Sequence, residues 1–241
     1  MTPRVGLLVP SSNVTMEIEL PALLGHTEGW SPSFHSARMR MTAVTPAALT
    51  AMDGQAERCA AELADAEVDV LAYACLVAVM VQGPGAHRAT ERRLSEAAGG
   101  TPVVSSAGAL IHAIHDLDVE RVAMITPYPP ALAATVVRYL AAEGIEVVDA
   151  VSLGLTDNAA VARLDPQRLV DLVGALDLSR AQAVVASACV QMPSLGAIDR
   201  LRHRTGLPTL SAATATAGSL RAELGFDRAP ESAGRLRVAS R

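Results

Sequence analysis

Short apolar segments alternate with longer segments of helical periodicity along most of the chain. The apolar segments predict strands at 5–10, 68–74, 122–127, 145–150 and 183–188. The helical spacing predicts helices at 45–66, 130–143 and 165–177, and the pattern at 102–117 predicts a strand followed by a helix. Thr45 is a candidate N-cap, with Pro46 at the first helical position. This alternation predicts an α/β fold with largely parallel sheets.

Three short patterns occur twice in the chain, in the same order. VGLLVPSSN (5–13) resembles VAMITPYPP (122–130), and LAYACLVAVM (71–80) resembles VVASACVQMP (184–193). PVVSSAGAL (102–110) resembles PTLSAATAT (208–216). A repeat of this kind predicts two similar parallel-sheet α/β lobes that face each other about a pseudo-twofold axis.

Two of the three cysteines lie in the repeated patterns. Cys75 and Cys189 each follow an apolar run, at the carboxyl end of a predicted strand. Open α/β sheets bind ligands at these strand ends, so both thiols are expected to flank one crevice between the lobes. The alternative is that each cysteine is a small buried hydrophobe, and the repeat argues against it. Cys59 lies within a predicted helix, has no counterpart in the other half, and is interpreted as structural.

Composition narrows the functional classes. Half of the 241 residues are hydrophobic, so the chain can bury a large core. No apolar run reaches about 18 residues and no signal-peptide pattern is present, which predicts a cytoplasmic protein without a membrane span. The net charge is −5, without any block of like charge, which argues against nucleic-acid binding. All 20 basic residues are arginine. The absence of lysine excludes a pyridoxal Schiff base and a lysine nucleophile.

Polar residues follow several of the predicted strands. Asn13 ends the turn after the first strand, Tyr128 occupies the matching turn of the second half, and Asn158 lies in a third loop. Each residue alone is explained by ordinary turn or cap chemistry. Together they form a neutral set of donors that is able to hold carboxylates without lysine or arginine.

The other candidate motifs give weaker indications of a functional site. His112 and His115 are three residues apart on a predicted helix, but no third ligand is spaced for zinc, and no metal site is expected. The segment Gly83-Pro84-Gly85 is no dinucleotide fingerprint and is expected to shape a loop near the crevice. Arg38 and Arg40 are interpreted as surface charges, with attraction of an anionic substrate as the alternative.

Five segments resemble the signatures of the maleate cis–trans isomerases, a family within the aspartate/glutamate racemase superfamily: VPSSNVTMEIELPALL, YACLVAVM, ITPY, TDN and SACVQMPSL. The resemblance extends from about residue 4 to about residue 220. Amino-acid racemases tend to have Cys-Asn-Thr and Gly-Cys-Thr where this chain has Cys75-Leu76-Val77 and Ala188-Cys189-Val190. Arylmalonate decarboxylases typically keep only the second cysteine. One departure is Ala162, where some relatives have glycine, and it concerns only the local loop.

The resemblance implies a reaction without a cofactor. Cys75, as a thiolate, would add to one alkene carbon of maleate, and rotation and elimination would then give fumarate. Cys189 would give and take a proton at the other carbon as general acid and base. Backbone N–H groups at a helix N-terminus are expected to lower the pKa of the nucleophile.

The resemblance also implies how the substrate is held and how the chain is organised. Asn13, Tyr128 and Asn158 match carboxylate-binding residues, and the backbone amides around Leu76, Val77 and Val190 are further donors. Relatives are commonly homodimers, so a homodimer is expected. The last helix is expected to return to the first lobe, which would then comprise 1–104 and 211–241, with 105–210 as the second lobe.

Two other readings remain open at this point. One is racemisation or decarboxylation of a small carboxylic acid on the same scaffold, because two thiols also suit a two-base racemase. The other is a non-catalytic module that binds a small dicarboxylate, although such a module needs no thiol on either side of its ligand.

Overall fold

Two parallel four-stranded sheets form the framework of the molecule. The computed structural model describes residues 2–25 and 31–226. The first sheet contains β1 (Arg4–Pro10), β2 (Ser33–Met39), β3 (Val70–Tyr73) and β4 (Val103–Ser105). The second contains β5 (Arg121–Thr126), β6 (Glu146–Ser152), β7 (Ala183–Ser187) and β8 (Thr209–Ser211). The spatial orders are β2-β1-β3-β4 and β6-β5-β7-β8. The same order in both sheets confirms the two similar α/β lobes predicted from the repeat.

Helices connect successive strands, as parallel pairing requires. In chain order they are α1 (Met16–Leu24), α2 (Pro46–Asp53), α3 (Ala56–Ala64), α4 (Leu76–Met80), α5 (Ala86–Ala97), α6 (Ser106–His115), α7 (Pro130–Ala142), α8 (Asn158–Ala162), α9 (Gln167–Leu172), α10 (Ile198–Thr205) and α11 (Ala212–Glu223). Each helix in the described part of the chain is too short or too polar to span a bilayer.

The central strands are the most deeply buried elements. Every residue of β3 and β7 is buried, and each of these strands is paired on both sides. Gly6 of β1 allows close packing, because a Cβ atom there would lie 2.5 Å from Leu71 Cδ2. A strand that is buried on both faces has a continuous run of apolar residues, and this is why these strands could be predicted from the sequence.

Two parts of the sequence prediction differ from the structure. The single helix predicted at 45–66 is two helices, α2 and α3. Thr45 caps α2 as predicted, since its Oγ1 accepts a hydrogen bond from Ala48 N at 3.2 Å. The helix ends at Asp53, and Gly54 and Gln55 separate it from α3. The Gln55 side chain accepts a hydrogen bond from Arg40 N at 3.0 Å, and this tertiary contact fixes the break. No strand was predicted at β2, because its sequence SFHSARM mixes polar and apolar residues and only two of its seven residues are buried.

The last described helix, α11, follows β8 of the second sheet but packs mainly against α6 and α1. It also contacts β3 and β4 of the first sheet. Its contacts with α1, β3 and β4 agree with the expected return to the first lobe, whereas α6 belongs to the second lobe of the predicted division. The division into 1–104 with 211–241 and 105–210 stays a prediction, and its residues 227–241 lie outside the described residues.

Candidate active site

The two repeated cysteines follow equivalent strands and line one cavity between the sheets. Cys75 comes after β3 and Cys189 after β7, and each is 5% exposed. The other predicted site residues lie around the same cavity: Asn13, Leu76, Val77, Tyr128, Asn158 and Val190. The first half of the chain therefore supplies one wall, and the second half supplies the other.

The cavity is small and mostly apolar. It offers about 20 Å³ to the centre of a water molecule, which is room for about one ordered water. Sequence reasoning assigned no role to Met41, Val44 and Gln191, which also line it. Met41 and Val44 follow the unpredicted strand β2. Gln191 belongs to the SACVQMPSL signature, and that signature was the available signal for it.

Cys75 is the N-cap residue of α4, and its side chain forms no capping hydrogen bond. Burial raises the pKa of the Cys75 thiol to about 12, and the nearby Ala78 N–H lowers it only in part. A negative charge on Cys189 raises the pKa of Cys75 further. The expected lowering by a backbone N–H at the start of α4 is present, but desolvation outweighs it, so the pKa of Cys75 is raised overall.

Cys189 has a richer set of donors. Burial raises the pKa of its thiol, while hydrogen bonds from the Tyr128 hydroxyl and from the backbone N–H groups of Gln191 and Met192 lower it. The two sulfurs share an enclosed space, so ionisation of one disfavours ionisation of the other. Because burial raises both pKa values, the neutral form of each thiol is favoured, and a second ionisation is disfavoured further.

Asn13 presents an unused donor beside the thiols. Its Oδ1 accepts from Met16 N at 3.2 Å, at the start of α1. Its Nδ2 is buried and lacks a hydrogen-bond partner within residues 2–25 and 31–226. A buried N–H without a partner costs free energy, so this amide is suited to an acceptor group that enters the cavity.

The other polar side chains of the cavity are engaged with each other. Asn158 Nδ2 donates to Ser12 Oγ at 2.7 Å. Gln191 Nε2 donates to the backbone oxygens of Ser12 at 2.7 Å and Asn158 at 2.9 Å. Both partners of Gln191 Nε2 are carbonyl groups, which fixes the amide orientation and leaves its buried Oε1 without a partner among the described residues. These bonds join a loop of the first half to two loops of the second.

The secondary candidates lie elsewhere. His115 bonds the Glu143 backbone oxygen at 3.1 Å, and the described residues contain no cluster of three or more potential metal ligands. Arg38 is partly exposed and pairs with Glu17, while its Nη1 also donates to Asn13 O at 3.2 Å. It supports the turn that carries Asn13 and does not line the cavity. The loop of Gly83 and Gly85 joins α4 to α5 and also lies away from the cavity lining.

The chain is similar in sequence and in structure to known proteins. The family model described as arylmalonate decarboxylase matches residues 5–237. Maleate isomerase from Geobacillus stearothermophilus is 52% identical over 221 residues, which are 88% of this chain and 88% of that protein. The crystal structure of a cysteine-to-alanine variant of the maleate isomerase of Pseudomonas putida S16 with maleate matches with a TM-score of 0.94. That match has 45% identity and covers 96% of each chain.

The chain belongs to the maleate isomerase family. A cysteine-to-serine variant of the Nocardia farcinica maleate cis–trans isomerase, which holds a covalently bound succinylcysteine intermediate, matches with a TM-score of 0.91. The identity is 47%, and 94% of each chain is covered. The resemblance read from the sequence signatures is thereby confirmed, together with the α/β fold that it implied.

Proposed function

We propose that this protein converts maleate to fumarate by transient thiolate addition, with Cys75 as nucleophile and Cys189 as general acid and base. The observation that carries this proposal is the pair of buried thiols on one cavity, which has apolar walls and amide donors and, among residues 2–25 and 31–226, no lining arginine. Such a cavity suits a small anion that must be held by hydrogen bonds while sulfur attacks it. The family relationship supports the same reaction.

Because burial raises the pKa of Cys75, its thiol must first lose its proton to solvent. The reaction then starts with Cys75 as the thiolate and Cys189 protonated. The Cys75 sulfur forms a bond to one alkene carbon, and the π electrons move onto the carboxylate of the neighbouring carbon as an enediolate. Cys189 then protonates that carbon, which gives a succinyl adduct with a free single bond. After rotation about this bond, the Cys189 thiolate removes the proton. The Cys75 thiolate leaves, and the double bond re-forms in the trans geometry.

Hydrogen-bond donors stabilise the charge that develops in this sequence. Asn13 Nδ2 is available in the substrate-free cavity and is the first candidate for a carboxylate partner. The backbone amides of Leu76 and Val77 open α4, where N–H groups have no intrahelical acceptor. The Val190 amide, Tyr128 and Asn158 complete the proposed set. Since Tyr128 and Asn158 have partners already, substrate binding must exchange or share those bonds.

The cavity has to widen for a four-carbon dicarboxylate, because its present volume suits about one water. Apolar residues such as Met41 and Val44 would then exclude water from the adduct. The homodimer and the cytoplasmic location remain predictions from the sequence.

Proton NMR of the reduced protein with maleate in buffered D₂O, without added cofactor or metal, tests the proposal. We expect the vinyl signal of maleate to be replaced by that of fumarate, and Cys59→Ala serves as a control with both site thiols intact. Unchanged maleate with folded, reduced protein would refute isomerisation. Deuterium exchange at the α-carbon of a small carboxylic acid would then indicate a racemase, and release of carbon dioxide a decarboxylase. Binding without turnover would indicate a dicarboxylate-binding module.

A further inference from the structure

A buried carboxylate lies behind the site, outside the cavity lining. Glu19 of α1 is 5% exposed. Its Oε1 accepts from Ser194 N at 2.6 Å and from Leu195 N at 2.7 Å, and its Oε2 accepts from Ser194 Oγ at 3.1 Å. All of these donors belong to residues 189–195, which we call the Cys189 loop. One side chain of the first half thus binds the segment that carries the catalytic sulfur of the second half.

Stability alone gives little reason for a carboxylate here. Glutamate is seldom buried, and burial raises the pKa of Glu19 while its hydrogen bonds lower it. An apolar side chain in a buried place commonly costs less free energy than a charged one. What the carboxylate provides is an acceptor for two adjacent backbone N–H groups, and an apolar side chain has no such acceptor.

The same part of the chain holds the Cys189 loop at a second place. Thr15 Oγ1, just before α1, donates to Gln191 O at 2.7 Å. Met192 lies between the two attachments, and its N–H donates to Cys189 O at 3.3 Å. Glu19 and Thr15 therefore hold the backbone directly after Cys189, where the N–H groups of Gln191 and Met192 lower the pKa of the thiol.

We propose that Glu19 is a positioning residue that holds the Cys189 loop and thereby fixes the backbone directly after Cys189 relative to its sulfur. It reaches the chemistry through the loop and touches neither thiol nor substrate. The inference rests on the proposed function for the role of Cys189, and on the hydrogen bonds alone for the geometry.

Two substitutions of similar size separate positioning from packing. Glu19→Met fills the space but accepts no hydrogen bond, whereas Glu19→Gln retains one oxygen for the two backbone N–H groups. The measurement is the rate at which iodoacetamide alkylates Cys189 and Cys75 from pH 7 to pH 9, with each site quantified by peptide mass spectrometry in a Cys59→Ala background. Alkylation requires the thiolate, so its pH dependence reports the thiol pKa, and its limiting rate reports access.

In Glu19→Met we expect alkylation of Cys189 to be about tenfold slower at a given pH, which corresponds to a pKa about one unit higher. Cys75 should keep its rate, and Glu19→Gln should restore most of the Cys189 rate. An unchanged pH profile for Cys189 in folded Glu19→Met would overturn the proposal, and so would an equal change at both thiols, which indicates general loosening.

If Glu19→Met does not fold, the same alkylation measurement on Glu19→Asp tests the proposal. It keeps the carboxylate but is one methylene too short, so we expect the Cys189 profile to shift, and a wild-type profile overturns the proposal. Alkylation does not involve maleate. Failure of the isomerase function in the NMR experiment is therefore distinguishable from failure of this inference.

Discussion

Asn13 performs two functions that substitution can separate. Its Oδ1 holds the start of α1 through Met16 N, and its Nδ2 is a buried donor without a partner in the described part of the chain. A hydrogen bond to a charged group contributes about 1.5–3 kcal/mol. If Nδ2 binds a substrate carboxylate, its removal should lower kcat/KM by about 10- to 150-fold, since each 1.36 kcal/mol is tenfold in rate.

The stability change should be much smaller than the change in activity. Asn13→Ala loses a helix-start bond worth about 1 kcal/mol. It also removes an unsatisfied buried N–H, whose burial costs about 1–3 kcal/mol. The two effects oppose each other, so we expect the free energy of unfolding to change by less than about 2 kcal/mol. Asn13→Asp is the matched variant, because it keeps the shape and the Oδ1 acceptor but replaces the donor by an anionic oxygen.

Initial rates of fumarate formation and urea unfolding curves provide the two readouts. We expect kcat/KM to fall in the order wild type, Asn13→Ala, Asn13→Asp, with a loss of at least about 100-fold in the aspartate variant from the lost bond and from charge repulsion. Wild-type kcat/KM in Asn13→Ala would refute the assignment of Nδ2 to a carboxylate. The assignment would also be refuted if the loss of activity were explained entirely by a larger fraction of unfolded protein.

Three further predictions follow from the same site and its surroundings. Cys75→Ser and Cys189→Ala should each lower kcat by at least about 1,000-fold, while Cys59→Ala keeps turnover, and equal damage in a folded Cys59→Ala would contradict the two-thiol mechanism. Tyr128→Phe removes a hydrogen bond that lowers the pKa of Cys189, so alkylation of Cys189 should move to higher pH, and an unmoved profile would exclude that bond. Burial lowers the pKa of His87 below its ordinary value of 6.5, so the unfolded chain binds the extra proton. The free energy of unfolding should therefore fall as the pH drops below about 6.5 towards the lowered pKa of His87. Urea unfolding midpoints should show this fall in the wild type and not in His87→Gln.

The sequence located the central strands and both site thiols because buried strands have continuous apolar runs and because the patterns repeat. It did not locate β2, an edge strand with a mixed pattern, and so it also missed Met41 and Val44 beyond it. Glu19 lies within a signature segment, but its local sequence indicates no role for it. Its partner Ser194 is 175 residues away, and only the folded structure brings them together.

The pKa values of the two thiols could not be predicted from the sequence either. A cysteine before a short helix indicates stabilisation of the thiolate by backbone N–H groups, and the Ala78 N–H does lower the pKa of Cys75. The opposing effect is the desolvation of Cys75 by the facing half of the molecule, which depends on how the two sheets pack. Local sequence reports the first effect and contains almost nothing about the second.

The division of the site between the two sheets also affects how the enzyme is made. During synthesis the amino-terminal sheet can form first, with Asn13 and Cys75 in place, yet it holds only one wall of the cavity. Cys189 and its loop come much later in the chain, and Ser194 of that loop also contacts Ser211, the cap of α11. A nascent or truncated chain therefore has single thiols but no paired site. The paired site is thus completed only after the segment from Cys189 to Ser211 has been synthesised.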